Sequence, residues 1–411
     1  MTIAIPRETE PTADDLDVVR ATLPLVAAHI DEITEVFYRT LFDNHPELIR
    51  ELFNRGNQAE GTQPRALAAS IAQFATHLVD PQAPRPSGML GRIAHKHASL
   101  GITADQYVVV HDNLFAAIVA VLGAEVVTER VAAAWDAVYW SMAHTLIALE
   151  RGLYARSGVE PGAVFREVTV ISRADDVPGV VVFTVEATDG SILPEFLPGQ
   201  YLSVAVRLPD GARQLRQYSL VGTPGDGRFV FAVKRVAASA DRPAGEVSSW
   251  LHERVEVGDT LEISLPFGDL TVDPDATTPL VLVSAGIGIT PMIGILEHLA
   301  ARTPRRRVLV VHADRNPRTH PLGARLRELC ALIPDATLDL RYRDDHGGIA
   351  PLDLSVLDLP ADADIYLCGA PDFLATLRAQ LHAAAIPEHR VHIEQFTPTD
   401  LRASACPASV G

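Results

Sequence analysis

A chain of 411 residues is too long for one ordinary core, so about two to three domains are expected, and its 47% hydrophobic and 21% charged content is that of a soluble globular protein. The balance of 35 basic against 52 acidic residues, a net charge of −17 with no basic stripe, speaks against nucleic acid or an anionic membrane surface as partner. No stretch nears the roughly 18 apolar residues of a spanning helix, and the acidic start "MTIAIPRETEPTADD" lacks the basic-then-apolar order of a secretion signal, so no membrane segment and a cytoplasmic location are expected.

Apolar residues recur every three or four positions from about Asp15 to Tyr154, in "DVVRATLPLVAAHIDEITEVFYRTLF", "RALAASIAQFATHL", "YVVVHDNLFAAIVAVLG" and "AAWDAVYWSMAHTLIALERGLYA". The first third therefore reads as all-α, and "RSGVEPGAV", polar with Gly and Pro, reads as a boundary. The period then changes to two: "GVVVFTVEA", "QYLSVAVRL", "RFVFAVKRV" and "DTLEISLPFG" are short runs punctuated by Gly and Pro, as in a small antiparallel barrel or sandwich. From Pro279 the strand-like "PLVLVSAG", "RRVLVVHAD", "TLDLRYRD" and "ADIYLCGA" alternate with helical stretches, the pattern of a parallel doubly wound sheet. The expected domains are thus 1–155 (all-α), 156–272 (antiparallel β) and 273–400 (α/β), with a small, polar tail over 401–411 that reads as disordered. Cys330, Cys368 and Cys406, odd in number and unevenly spaced, suggest neither a disulfide framework nor a zinc site.

Chemistry concentrates first in "VSAGIGITPM". A buried strand ends in Gly286-Ile287-Gly288, and a helix begins at about Thr290 with Pro291 in its first turn, where the missing N–H costs nothing. The glycines let a phosphate approach the backbone and the helix start offers free N–H groups, although the same spacing is equally that of a tight turn. Upstream, "RQYSL" projects Arg216, Tyr218 and Leu220 to one side of a strand and Gln217 and Ser219 to the other; a guanidinium for pyrophosphate and an aromatic for a flat ring are what a flavin requires. Downstream, "YLCGAPDF" ends a parallel strand in Gly369 at the edge where α/β sheets bind ligands.

The succession "PGQY", "RQYSL", "GEVSSWL", "GIGITPM", "YLCGAPDF" and "VHIEQFTP" resembles the ferredoxin–NADP reductase-like superfamily over roughly residues 160–398. The resemblance implies that Arg216, Tyr218 and Ser219 contact FAD, Tyr218 against the isoalloxazine and Ser219 near its N5, with Gly245, Val247 and Ser248 around the pyrophosphate. Tyr201, Gln217 and Glu394 join this set, and Phe396 covers the flavin face where nicotinamide arrives. Gly286, Gly288, Thr290, Pro291, Cys368 and Gly369 then frame NAD(P)H. Thr397, where the superfamily commonly has glycine, and "GAPDF" depart from the pattern and leave NADH against NADPH open.

A reductase needs an acceptor, and "GRIAHKHASLGI" in the helical third carries two histidines. Side chains two apart on a helix point about 200° apart, so His95 and His97 cannot both face one ligand. "VFYRTLF", "NHPELIRELFNRGNQ" and "KHASLGITADQY" resemble the globin domain of flavohaemoglobins. That resemblance selects His97 as proximal ligand of haem b iron and leaves His95 solvated, and it sets Tyr107 and Glu150 beside His97 as a hydrogen-bonded triad. A carboxylate accepting from the imidazole raises its basicity and pushes electron density to iron. On the distal side the resemblance places Tyr38 as donor to bound oxygen, with Phe53, Gln63 and Leu67 completing the pocket. Read from residues alone, Tyr38 and Tyr107 are equally buried packing aromatics and Glu150 an exposed helix-end acid. Gln63, preceding Pro64, is either a pocket residue or a helix cap.

The implied activity is a nitric oxide dioxygenase: NAD(P)H reduces FAD, FAD passes single electrons to haem, and O2 and nitric oxide are converted to nitrate by a monomer. Two alternatives stay open: an alkyl or lipid hydroperoxide reductase or anaerobic nitric oxide reductase on the same haem, and an oxygen-binding or redox-sensing globin with its own reductase.

Overall fold

A computed structural model describes residue 5 and residues 10–396, apart from 54, 56–61, 81, 83–85, 240–242, 274, 303–305 and 343–351 and the side chains of 62–66 and 68. The expected disordered tail over 401–411, Cys406 and Thr397 lie outside the described residues. The chain divides into two compact units, residues up to Val164 with the segment Pro209–Leu215, and Phe165–Leu208 with Arg216–Thr397, so both sheets share the second unit apart from residues 213–215, which begin one strand.

Helices build the first unit: α1 (Ala13–Ala28), α2 (Ile30–Asn44), α3 (Pro46–Glu51), α4 (Thr62–Val79), α5 (Ser87–Leu100), α6 (Gln106–Leu122) and α7 (Glu129–Arg156). Thr12 starts α1 with a reciprocal capping box to Asp15, a device that stabilises a helix start by about 1 kcal/mol. Thr128 caps α7 in the same sense, its hydroxyl accepting from the Val131 amide. The long run "DVVRATLPLVAAHIDEITEVFYRTLF" divides at His29, between α1 and α2. On α2 the residues at four-residue spacing, Ile33, Phe37 and Leu41, are almost fully buried, which is the stripe that packs this helix.

In the second unit, β1 (Phe165–Asp175), β2 (Val180–Ala187), β3 (Tyr201–Arg207), β4 (Arg213–Ser219), β5 (Phe229–Lys234) and β6 (Thr260–Ser264) form one sheet in the order β4-β3-β6-β1-β2-β5. A bridge from Leu220, just after β4, to Phe231 on β5 joins the two edge strands. The inward residues Val168, Phe183, Leu202, Val204 and Phe231 are fully buried and fill the sheet's interior. α8 (Glu246–Arg254) follows β5.

The remainder is α/β. β7 (Leu280–Ala285) runs through a 3-10 turn, Gly286–Gly288, into α9 (Ile289–Arg302). β8 (Val308–Asp314), α10 (Gly323–Leu332), β9 (Ala336–Tyr342), β10 (Asp364–Cys368), α11 (Pro371–Ala383) and β11 (Val391–Glu394) follow. The sheet order β11-β10-β7-β8-β9, parallel wherever register is defined, reverses direction between β7 and β10. Five of the six residues of β7 and all seven of β8 are buried, as strands covered on both faces must be. α9 packs its Gly294 against the barrel: a Cβ there would lie 2.3 Å from the Leu220 carbonyl oxygen. Leu322, in a left-handed conformation at φ 55°, precedes α10 and donates its amide to Asp176 Oδ2 at 2.6 Å. Among the described residues no helix is long and apolar enough to cross a membrane.

Candidate functional site

In the helical unit, His97 stands in the last turn of α5, which Gly101 terminates at φ 74°, a left-handed conformation that costs glycine little. The chain reverses there, with the Ile102 amide bonded to the His97 carbonyl, and Tyr107 returns in the first turn of α6. Glu150, from α7, is 2% exposed. Three contacts join the three side chains: His97 Nδ1 to Glu150 Oε1 at 2.8 Å, His97 Nδ1 to Tyr107 Oη at 3.0 Å, and Tyr107 Oη to Glu150 Oε1 at 2.6 Å.

Proton counting fixes the roles. Burial and the adjacent Glu150 carboxylate raise the Tyr107 pKa far above its usual value, so the phenol keeps its one proton. That proton goes to Glu150, leaving the phenol oxygen and the carboxylate both to accept from Nδ1–H of His97. The tautomer is then set, and the Nε2 lone pair lies on the opposite edge of the ring, where it makes no hydrogen bond with any described residue. This donor set fits a haem iron: an oriented, carboxylate-backed imidazole with a free nitrogen.

His95 differs from expectation. It is half-buried rather than solvated, and burial together with the Arg156 charge lowers its pKa to about 4. It therefore stays neutral at neutral pH, although it is not part of the triad.

Of the expected distal residues, Tyr38 is 7% exposed on α2 and sits in an aromatic group, its ring centroid 5.6 Å from Phe42 and 5.9 Å from Phe53. Phe53 is half-buried just after α3, and Leu67 is half-buried on α4. Gln63 lies in the first turn of α4, with Pro64 following it in the same turn; its side chain is outside the described residues.

In the second unit the "RQYSL" strand is β4. Tyr218 stacks on Phe231 with centroids 5.8 Å apart, Gln217 Nε2 donates to Ser203 Oγ at 2.9 Å, and Ser219 is 6% exposed. Arg216 is half-buried on the same strand. Burial raises the Tyr218 pKa, so its phenol is neutral. Tyr201 opens β3 and pairs both backbone groups with Phe267, its ring packed where a Cβ on Gly268 would come within 3.1 Å.

Gly245 precedes α8, and a Cβ there would meet Ser248 Oγ at 2.7 Å and Val236 Cβ at 2.9 Å. Among the described residues no side chain caps that helix start and the buried Ser249 Oγ has no hydrogen-bond partner, and Val247 is fully buried. A cradle only glycine can form, beside open amides and an orphaned hydroxyl, fits the pyrophosphate of a flavin dinucleotide.

The second glycine turn fits a nicotinamide dinucleotide by the same test. Gly286 has φ 54°, and a Cβ on Gly288 would lie 2.5 Å from the Cys368 carbonyl oxygen, across the β7–β10 reversal of strand order. On Gly369 it would meet Phe373 at 2.7 Å. Thr290 Oγ1 donates to the Ile287 carbonyl, and α9 begins at Ile289, one residue before the expected Thr290, with Pro291 in its first turn and no acidic residue there. Cys368 is fully buried, and burial together with Glu394 raises its thiol pKa well above the ordinary value, so it acts here as an uncharged wall. Glu394 ends β11 beside Cys368, and Phe396 is 48% exposed.

One residue escaped the sequence reading. Lys234, one of only two lysines in the chain, ends β5 with Nζ 4.0 Å from where a Gly286 Cβ would stand. That places an ammonium beside the glycine turn. The signal was the rarity of lysine in a chain whose cations are otherwise arginine.

Comparison with known proteins decides the family. Residues 35–146 match the globin family and residues 282–379 the oxidoreductase NAD-binding domain family. A flavohemoprotein of Bordetella parapertussis is 40% identical over 395 residues, covering 92% of this chain and 96% of its own. The chain belongs to the flavohemoprotein family. A family member from Rhizobium meliloti is 38% identical over 93% of this chain and 97% of its own. A solved flavohemoglobin from Malassezia yamatoensis with bound FAD and heme superposes with a TM-score of 0.85 at 35% identity, covering 94% of this chain and all of the other. The FAD/NAD-binding domain of nitric oxide dioxygenase from Vibrio cholerae superposes with a TM-score of 0.53 at 31% identity, over 56% of this chain and 98% of its own. The flavohemoprotein fold expected from sequence, helical globin, antiparallel flavin sheet and parallel nucleotide sheet, is the one observed.

Proposed function

We propose that this flavohemoprotein is a cytoplasmic, monomeric NAD(P)H-dependent nitric oxide dioxygenase. The observation that carries the reading is the triad of His97, Tyr107 and Glu150, which supports an electron-donating iron ligand rather than a plain anchor. When bound, the flavin accepts a hydride's electron pair and releases it singly, and the haem takes the single electrons and supplies the oxygen chemistry.

This chain's residues prepare that chemistry. Glu150 accepts from Nδ1–H of His97 and makes Nε2 a stronger donor, while Tyr107 holds the carboxylate in place with its own proton. Tyr38, with Phe53 and Leu67, lines the distal side and offers a phenol to a partially negative oxygen. Gly286 and Gly288 admit the coenzyme phosphates to the backbone, Lys234 neutralises their charge, and Phe396 shields the flavin face. Tyr218 and Arg216 hold the flavin ring and phosphates, and Gly245, Val247 and Ser248 form the cradle at the start of α8. The vicinity of His97 is half-buried, its side chain 32% exposed, which moderates access of bulk water.

The test is NADH-driven nitric oxide consumption by the purified holoprotein, with and without oxygen. Rapid consumption with oxygen, nitrate as product and a small anaerobic rate are expected. An anaerobic rate equal to the aerobic one would overturn the dioxygenase assignment in favour of a reductase.

A further inference from the structure

Tyr107 has a neighbour that the proximal triad does not use. Its backbone carbonyl accepts a hydrogen bond of 2.7 Å from Tyr139 Oη on α7, and the Tyr139 ring stands edge-on to Trp140 with centroids 5.3 Å apart. Trp140 in turn lies 5.3 Å, ring to ring, from His111 of α6. That imidazole bridges two carboxylates at the surface, with Nδ1 2.9 Å from Asp112 Oδ1 and Nε2 2.8 Å from Asp136 Oδ1. A run of hydrogen bonds and ring contacts therefore leads from His97 through Tyr107 and Tyr139 to an indole that is 3% exposed beneath those carboxylates.

Resting on the reading of His97 as iron ligand, we propose that Trp140 is a redox-active side chain, an electron reserve that supplies one electron to the haem when a hydroperoxide meets the protein with its flavin oxidised.

Each station has the chemistry for its part. Tyr107 loses an electron only together with its proton, and Glu150 Oε1 stands 2.6 Å away to take that proton and return it. Tyr139 has no such base: its hydroxyl proton points at a backbone carbonyl, and burial together with Asp112 raises its pKa, so it stays a neutral phenol and serves as a bridge. Indole, unlike phenol, gives up an electron without having to give up a proton. The positive charge left on Trp140 is stabilised by its surroundings, because Asp112 and Asp136 carry two negative charges and His111 offsets at most one of them. A hydroperoxide takes up two electrons and two protons as its O–O bond breaks, giving an alcohol and water. With NADH present the flavin supplies both electrons. With the flavin oxidised, the haem iron gives one and Trp140 the other by way of Tyr107, the protons come from solvent, and Trp140 remains as its radical cation until the electron pair of the next NADH refills both sites.

The test uses the ferric, haem-loaded holoprotein, free of NADH, mixed with cumene hydroperoxide, rapidly frozen and read by electron paramagnetic resonance. An indole radical is expected, its signal narrowed when the protein is made with ring-deuterated tryptophan, a comparison that needs no variant. Of the three tryptophans in the chain, Trp140→Phe is expected to lose the signal and Trp135→Phe to keep it. Tyr139→Phe, which retains the ring and removes the bond to Tyr107, is expected to leave a tyrosine signal instead. Soret absorbance and melting temperature show whether each variant is loaded and folded. A signal that survives Trp140→Phe, one that narrows only with deuterated tyrosine, or no signal at all in the loaded wild type would overturn the reserve. Aerobic nitric oxide consumption with NADH is expected to be the same in Trp140→Phe as in the wild type, so failure of the reserve leaves the dioxygenase reading standing. A wild-type protein without a Soret band would sink the haem reading and the reserve with it.

Discussion

Nδ1 of His97 is the smallest feature on which the chemistry turns, because one proton shared between a carboxylate and a phenol oxygen decides which nitrogen is left for iron. Glu150→Gln retains a hydrogen-bond acceptor but removes the charge. Such changes behind a metal-ligating imidazole typically cost 10–100-fold in activity, so a loss of about that size is expected, with a lower iron–histidine stretching frequency in the ferrous protein. An unchanged frequency would remove the push from the account. His97→Ala is expected to abolish haem retention, judged by the Soret band, and His95→Ala to preserve it. The two histidines show what was legible at this scale: helical angles excluded a pair, and family resemblance named the member. The half-burial of His95 against Arg156 was not legible, because Arg156 lies far along the chain at the end of α7. Lys234 was passed over because its partner is a backbone turn rather than a charged side chain.

At the scale of elements, the glycine turn between β7 and α9 has no spare room. Gly288→Ala would drive a methyl into the Cys368 carbonyl, so KM for NADH is expected to rise about tenfold or more with the haem spectrum unchanged. Unaltered coenzyme kinetics would show that the phosphates sit elsewhere. The end of β8 makes a second, independent prediction. His320, stacked on His312 with centroids 4.1 Å apart and bonded to Tyr342, has its pKa lowered to about 4 by burial and by His312 and Arg327, against the opposing pull of Asp314. The folded chain then refuses a proton that the unfolded chain binds below about 6.5. His320 and His95 therefore give stability that is complete above that pH and declines as pH falls toward 4. Melting temperature is expected to drop by a few degrees from pH 7 to pH 5, with a shallower drop in His320→Gln; equal drops would trace the dependence to other groups. Among the strands, the periodicity announced neither the short β11 nor β1. β1 is the strand between β6 and β2, yet only two of its eleven residues are buried and a bulge at Val170–Ser172 interrupts its alternation, so its pattern reads as loop.

At the scale of the molecule, the residues assigned to iron all fall in the first compact unit and those assigned to flavin and coenzyme all fall in the second. Electron entry should therefore survive loss of the acceptor: the His97→Ala protein is expected to reduce its flavin with NADH at the wild-type rate while nitric oxide consumption disappears. A parallel loss of flavin reduction would contradict that separation. Composition foretold several domains, but not that the two sheets would cohere in one unit, which they do through one apolar cluster, Val221, Ala232 and Val272 with Leu282, Ile289 and Met292, and through a close backbone approach. That approach, Gly294 against the Leu220 carbonyl, has a mechanical meaning. With no room there for even a methyl group, α9 lies backbone to backbone on the barrel, and that approach gauges the spacing between flavin cradle and coenzyme turn.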